Sequence, residues 1–339
     1  MSRFSTSLFM AALCLLLGGC GARLASKSLP QWVLEPESAY SSSQYLTSIG
    51  EGDTLRSAET HALRRLAGRF KTRVQSTERL SDRVQETFGA AEAYEKKSAY
   101  QSDTRLETDQ TLLNVRTAEQ YRDKTGRVYA LIVLDRLETS RLYEQSIIDN
   151  AQRIALLTKT NPSKLASYAS TQLALKLGLK NKMLLDQLAI IHPKSAQQLG
   201  LPYGLDQLRS QAAEATGMIR FKVDLEGDRS GPLAGQIRAW MTARGFKASS
   251  VCDLCITGSL SIESMDFLRE DLRTVRYYLL VNMKDAKAQT LLAMQKEGRE
   301  SHITVEQAYR RAERTVQQFV EKELSDRLEM LIENLSGGS

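Results

Sequence analysis

The chain has 339 residues, which is enough for about two domains. Hydrophobic residues make up 42% of it and charged residues 25%, so a buried core of ordinary globular type is feasible. The net charge is +6, but basic and acidic residues are interspersed, which argues against a nucleic-acid partner.

The N-terminus has the pattern of an export signal. Arg3 supplies a short positive region, and Leu8–Leu17 form an apolar run of about ten residues. That run is shorter than the roughly 20 residues that a membrane-spanning helix needs, but it suits a secretory signal. Leu17-Gly18-Gly19-Cys20 resembles the lipobox of bacterial lipoproteins. The resemblance implies that residues 1–19 are removed and that Cys20 carries acyl chains, palmitate among them.

Two interpretations of this segment stay open: a lipidated Cys20, or an ordinary signal peptide with an incidental cysteine. Gly21 stands where inner-membrane lipoproteins of enteric bacteria carry an aspartate, so we expect an outer-membrane anchor facing the periplasm or the surface. No second apolar run approaches membrane-spanning length, so the acyl chains would be the membrane anchor.

After a tether over residues 20–29, residues 30–137 predict an α+β domain. Tyr45–Gly50 alternates as a short strand does, and Gly50-Glu51-Gly52 breaks the pattern. A dinucleotide-binding loop would need a third glycine where Leu55 stands, so a tight turn from strand to helix explains the glycines more simply. The helix that begins at Leu55 has one apolar face, formed by Ala58, Ala62, Leu66, Ala67 and Phe70.

Two strands close this domain. Leu112–Tyr121 and Arg127–Leu134 flank the turn signal Asp123-Lys124-Thr125-Gly126, and the resulting hairpin places Tyr121 and Tyr129 across from each other. Residues 76–100 fit either a continuation of the helix or an excursion from it.

Several short motifs here resemble one known family. They are Trp32-Val33, Tyr45, Ile49-Gly50-Glu51-Gly52, Ser57-Ala58, Ala62 and Arg65-Leu66. This pattern is similar to the LPP-twenty family of outer-membrane lipoproteins, and a related module occurs in flagellar envelope proteins. The resemblance implies a strand, a helix and a sheet without a catalytic centre. It also implies a role in surface antigenicity, envelope integrity or assembly of flagellar outer-membrane structures.

The remaining chain predicts a helical segment and a second α+β domain. Residues 138–216 contain four helical pieces with short breaks, one of them ending near Gly178, and are expected to form a connector or a small bundle. A repeat array is the alternative, although no fixed period supports it. Residues 217–339 predict the order β-α-β-β-β-β-α and end in a long helix from about Thr304 to Leu335.

Cys252 and Cys255 are the most distinctive pair of side chains in this second domain. In an exported protein they favour a disulfide, with idle thiols, a redox centre and a metal site as alternatives. The motif precedes a strand and not a helix, and no second cysteine pair or nearby histidine completes a metal site. His61, His192 and His302 stand alone in the sequence.

These patterns together predict a non-enzymatic, lipid-anchored envelope protein that binds other envelope proteins or supports assembly. We expect no catalytic residue, cofactor or bound metal, and self-association into a homo-oligomer is compatible with the sequence. Trp32 is a candidate contact residue near the tether, although a core role is the stronger expectation. The alternatives are a periplasmic redox enzyme that uses Cys252 and Cys255, or a carrier of small ligands.

Overall fold

The structure, a computed structural model, describes residues 29–86, 112, 114–159, 163–229, 231–265 and 272–337. Side chains of residues 71–86 and 337 are outside that description. The predicted signal peptide, Cys20 and the tether up to residue 28 also lie outside it. Two compact units divide the chain, Met1–Thr139 and Ser140–Ser339. None of the described helices has an apolar stretch long enough to cross a membrane.

The first unit is a three-stranded antiparallel sheet with a long helix on one face. After the short helix α1 (Gln31–Leu34) and a 3₁₀ turn (Pro36–Ser38), the chain forms β1 (Tyr45–Gly52) and α2 (Leu55–Glu86). The hairpin β2 (Val115–Arg122) and β3 (Val128–Asp135) follows, and the strand order is β1-β3-β2. Tyr121 pairs with Tyr129 as predicted, whereas residues 87–100 lie outside the described part of the chain.

Small residues bring α2 unusually close to β1. Ala58, Ala62 and Leu66 are fully buried, and a Cβ added to Gly50 would lie 2.0 Å from the carbonyl oxygen of Ala58. The prediction that Gly50 and Gly52 form a tight turn is therefore wrong. Both glycines lie within β1 without a left-handed backbone, and they are needed because the helix leaves no space for a side chain.

The second unit begins with helices. They are α3 (Arg136–Leu157, within which the boundary between the units falls), α4 (Lys164–Ile191), α5 (Pro193–Gln198) and α6 (Leu205–Gly217). The predicted helix end near Gly178 is wrong, because α4 continues through it. A Cβ at Gly178 would lie 2.7 Å from Cδ1 of Leu208, so the glycine lets α6 pack against α4. That packing offsets the roughly 1 kcal/mol by which glycine weakens a helix interior.

A five-stranded mixed sheet completes the second unit. Its elements are β4 (Arg220–Glu226), α7 (Pro232–Ala243), β5 (Lys247–Ala248), β6 (Leu254–Met265), β7 (Arg273–Asp285), β8 (Thr290–His302) and α8 (Val305–Gly337). The strand order is β5-β4-β6-β7-β8, with β4 parallel to β5 and β6. Helices α7 and α8 contribute to one core with alternate residues of the strands, including Phe221, Val223, Ile256, Leu279, Val281, Ile237 and Val316.

The predicted α+β class is confirmed, with two sheets and the expected element order in the C-terminal part. The segment predicted as a connector, residues 138–216, falls almost entirely within the same compact unit as the C-terminal sheet. Its helices are built into that unit because α4 carries buried apolar residues toward α6, in a cluster that includes Leu173, Leu177 and Leu208.

Candidate functional site

A groove of about 610 Å³ runs along strand β1 of the first unit. Residues Tyr45–Glu51 of β1 line it, and β1 is an edge strand because β3 occupies its other side. One part of the lining is apolar and comes from Val33, Leu34 and Pro36, and another part is basic. The groove therefore joins strand backbone, apolar surface and positive charge in one place.

The basic part of the lining comes mainly from helix α2. His61, Arg65 and Arg69 follow each other at intervals of four residues, so they form one stripe along the helix. All three are exposed, next to the buried stripe that covers the sheet. The close approach of α2 to β1 places this stripe beside the strand edge.

Hydrogen bonds identify which backbone groups of β1 face the groove. The carbonyl oxygen of Ile49 accepts a bond from Nη1 of Arg65 at 3.0 Å, and Nδ1 of His61 lies 3.4 Å from the amide nitrogen of Glu51. In an antiparallel pair alternate residues direct both backbone groups away from the partner strand. The N–H and C=O groups of the odd-numbered residues of β1 therefore point away from β3.

The amide of Tyr45 donates to the carbonyl oxygen of Ser41 at 2.8 Å, which occupies the first outward position. Between these contacts, the residues that the structure describes make no further hydrogen bond to the outward groups of β1. Within the part of the chain that the structure describes, no bond from outside the sheet reaches the backbone of Thr47. Thr47 lines the groove, but only 9% of its surface is exposed.

The side chains of Arg69 and Arg136 lie near each other at the groove, which the two glutamates Glu37 and Glu51 also line. Burial and the nearby charge of Arg69 lower the pKa of the Arg136 guanidinium, whose Nε donates to the carbonyl oxygen of Ser42 at 2.9 Å. Among the described residues, no carboxylate pairs with Arg69. The carboxylate of Glu51 is already paired with Arg127 at 3.3 Å.

The predicted cysteine pair lies elsewhere, in the second unit. Cys252, in the loop before β6, forms a disulfide with Cys255, the second residue of β6, and their Cα atoms are 5.4 Å apart. Asp253 lies inside this loop, and its carboxylate accepts bonds from the amide of Arg220 at 2.9 Å and from Nζ of Lys164 at 3.3 Å. The loop thus joins the starts of β4 and α4.

The charged carboxylate of Asp253 holds this loop in place through its bonds to Arg220 and Lys164. Burial raises the pKa of Asp253, but hydrogen bonds from Arg220 and Lys164 outweigh it and bring the pKa to about 2. The disulfide precedes a strand, without the helix N-terminus that activates redox cysteines. Across the described residues, no group of three or more His, Cys, Asp or Glu side chains could hold a metal ion.

The three histidines lie apart. His61 lies in the groove, His192 precedes α5 and accepts the amide of Ser195 at 3.3 Å, and His302 ends β8. Trp32 is partly buried in α1, whereas its neighbour Leu34 is 68% exposed.

The sequence did not predict Arg69 or Arg136 as groove residues. The i, i+4 spacing on α2 was the available signal for Arg69, but the sequence does not show that β1 is an edge strand.

Comparison with known proteins gives one family match. The LPP20 lipoprotein family model matches residues 30–135, which confirms the resemblance predicted for residues 30–137 and indicates an envelope lipoprotein. The match contains the groove lining except for Arg136. No curated protein matches the chain.

Two solved structures are similar at low identity. The secreted protein HP1454 from Helicobacter pylori is 11% identical, with a TM-score of 0.41; the match covers 74% of this chain and 87% of that one. A minor lipoprotein from Acinetobacter baumannii is 14% identical, with a TM-score of 0.22; the match covers 35% of this chain and 84% of that one.

Proposed function

We propose, from the LPP20 lipoprotein match to residues 30–135, that the chain is an outer-membrane lipoprotein that binds other envelope proteins and has no enzymatic activity of its own. The observation that carries this proposal is the groove along the edge of β1, inside the matched region. Strand edges beside helices are sites where proteins take up segments of other proteins.

The proposed anchor is the set of acyl chains on Cys20. Several chains on one residue hold a protein stably at a membrane, where a single chain does not. A tether of residues 20–29, if extended, would reach about 35 Å. Confinement to that layer raises the effective concentration of the groove toward partners in the same membrane, so weak contacts suffice.

Mass spectrometry of the N-terminal peptide from native material tests the anchor. We expect a mature chain that begins at an acylated Cys20, recovered with the outer membrane. A Cys20→Ala variant should lose acylation and leave the outer-membrane fraction. An unmodified thiol at Cys20 in native material, or full-length protein in the cytosol, would overturn the proposed anchoring.

Crosslinking in intact cells tests the binding function. The lipidated chain should capture a reproducible set of envelope proteins, and Cys20→Ala should capture fewer of them. Assembly of a flagellar or another outer-membrane structure is the more specific form of the proposal. Under it, deletion of the chain should impair motility or envelope integrity. Capture of no envelope protein by the lipidated chain would refute the binding function.

A further inference from the structure

We infer that helix α2 docks on anionic phospholipid headgroups through a basic face formed by Arg64, Arg65 and Arg69. The inference rests on the proposed acyl anchor at Cys20 and adds an orientation to it. The acyl chains hold the protein at the membrane, and the basic face determines which side of the first unit lies against the lipids. Two observations carry the inference: the charge of α2, and the composition and attachment point of the tether.

The basic face has an excess of positive charge within its own helix. The part of α2 whose side chains the structure describes, Leu55–Phe70, carries four arginines and a single carboxylate, that of Glu59. At 3.6 residues per turn, the three arginines of the face lie within an arc of about 140°, and all three are exposed. Glu59 lies outside this arc, and its carboxylate accepts a hydrogen bond from Oγ1 of Thr117 at 2.8 Å.

Neighbouring elements do not neutralise this charge. Among the residues that the structure describes, no carboxylate forms an ion pair with an arginine of the basic face. Arg65 donates one bond to a backbone carbonyl, which leaves its charge in place. Of the two glutamates at the groove, Glu51 is paired with Arg127, and Glu37 belongs to the 3₁₀ turn. Arg64 lies outside the groove that these glutamates line.

The tether favours lipid as the occupant of this face. Residues 20–29 include Arg23 and Lys27 and no acidic residue, so the chain next to the anchor is basic as well. The tether enters the first unit at α1, which lines the same groove as two arginines of the basic face. At about 35 Å or less from the acyl chains, a unit attached on this side has its basic face next to the membrane. An acidic protein partner would not require either feature.

A weak attraction is sufficient for this docking. Each basic side chain close to an anionic membrane strengthens binding about fivefold, so the three arginines together provide roughly a hundredfold. The attraction acts within a Debye length of about 8 Å at physiological salt. The acyl anchor keeps the basic face near the surface and so raises its effective concentration there. Without acyl chains, the same face should bind anionic vesicles weakly and in a salt-dependent way.

Sedimentation with lipid vesicles tests the face separately from the anchor. The protein is the full mature chain with Cys20→Ala, which has no acyl chains. The vesicles are an equimolar mixture of phosphatidylglycerol and phosphatidylcholine, or phosphatidylcholine alone. We expect at least about tenfold stronger binding to the anionic vesicles at low salt, and release when salt is added. Equal binding to both vesicles, or no binding to the anionic ones at low salt, would overturn the inference.

Two charge reversals provide the matched comparison. Arg64→Glu should weaken binding to the anionic vesicles at least about fivefold, whereas Arg153→Glu should change it less than about twofold. Both arginines are exposed on helices, but Arg153 lies on α3 in the second unit. Circular dichroism should show the same helix content for both variants. Equal weakening by the two substitutions would reduce the effect to overall charge and refute the basic face.

A fluorophore on Gly68→Cys tests the orientation of the lipidated chain. The sequence has four cysteines. Cys14 would be removed with the signal peptide, Cys20 would be acylated, and Cys252 is joined to Cys255. The new thiol is therefore the one available for labelling, and it lies on α2 between residues of the basic face. Spin-labelled lipid headgroups should quench the fluorophore more strongly in anionic vesicles than in neutral ones.

The results separate failure of the anchor from failure of the face. A native chain that attaches to neither kind of vesicle would contradict the proposed acyl anchor. A chain that attaches to both with equal quenching would keep the anchor and overturn the docking. Displacement from anionic vesicles by inorganic phosphate at constant ionic strength would show a simple anion site. Binding of a poly-Glu peptide with the same dependence on Arg64, without binding of the vesicles, would show a protein partner. Either of these two results overturns the inference.

Discussion

Gly50 offers the sharpest test of the structure, because its neighbours leave no space for one extra carbon atom. A Cβ at this position would lie 2.0 Å from the carbonyl oxygen of Ala58 and 2.3 Å from the amide nitrogen of Ala62. Both atoms belong to the α2 backbone, so no side-chain rotation relieves the overlap. Gly50→Ala must therefore move the helix away from β1.

The expected cost is large for a single methyl group. Overpacking of a core costs about 1–3 kcal/mol and sometimes more, and a clash with backbone belongs at the upper end. We expect Gly50→Ala to lower the free energy of unfolding of the first unit by at least about 3 kcal/mol. The free energy of unfolding of a small domain falls by about 1–3 kcal/mol per molar urea, so the urea midpoint of the first unit should fall by at least about 1 M.

Gly68 is the matched control on α2. Apart from its chain neighbours and the backbone of its own helix, no atom of the described residues lies within 4 Å of a Cβ added there. Replacement of a glycine inside a helix by alanine should stabilise the first unit by about 0.5–1 kcal/mol. The two Gly→Ala changes should therefore have opposite signs.

The two tryptophans allow each unit to be followed separately. Trp32 lies in the first unit and Trp240 in the second. In a Trp240→Phe background, urea unfolding followed by tryptophan fluorescence reports on the first unit. If Gly50→Ala unfolded at the same urea concentration as the parent, or if both alanine variants shifted in the same direction, the close approach of α2 to β1 would be wrong.

Two further predictions concern the disulfide loop and use a Trp32→Phe background, in which Trp240 reports on the second unit. Asp253→Asn should lower the free energy of unfolding by about 1–2 kcal/mol at pH 7, because the charged carboxylate is held by Arg220 and Lys164. Since the folded pKa of about 2 is below the ordinary value of 3.8, the difference from the parent should persist above about pH 4 and shrink toward pH 2; a difference that did not vary with pH would contradict this assignment. The double change Cys252→Ser and Cys255→Ser should cost about 2 kcal/mol or less, because the closed loop is short. The double variant and the parent should reduce insulin at the same rate. A parent rate well above that of a protein without cysteines would favour the redox alternative.

Local patterns predicted most of the elements but not their neighbours in space. The apolar stripe of Ala58, Ala62 and Leu66 identified α2, and alternation identified the strands of the second sheet. Gly178 was misread because its partner, Leu208, belongs to a helix that begins 27 residues later. Helix-ending signals report local preference, and tertiary packing can override it.

The candidate site depended on information that no short stretch contains. The stripe of His61, Arg65 and Arg69 is visible in the sequence, but its neighbour is a strand edge only because β3 inserts between β1 and β2. The contacts of Asp253 are of the same kind, with partners 33 and 89 residues away in the chain. The cysteine spacing predicted the disulfide, but the ion pairs of Asp253 could not be predicted because only the fold brings their partners together.

The edge of β1 has a consequence for molecules crowded on one membrane. Two copies that met edge to edge along this strand would bring the arginines of the stripe on α2, Arg65 and Arg69, of both copies to the contact, with mutual repulsion there. The charges beside the strand would thus disfavour pairing between identical chains. The strand can stay available at high surface density without seeding chains of stacked sheets.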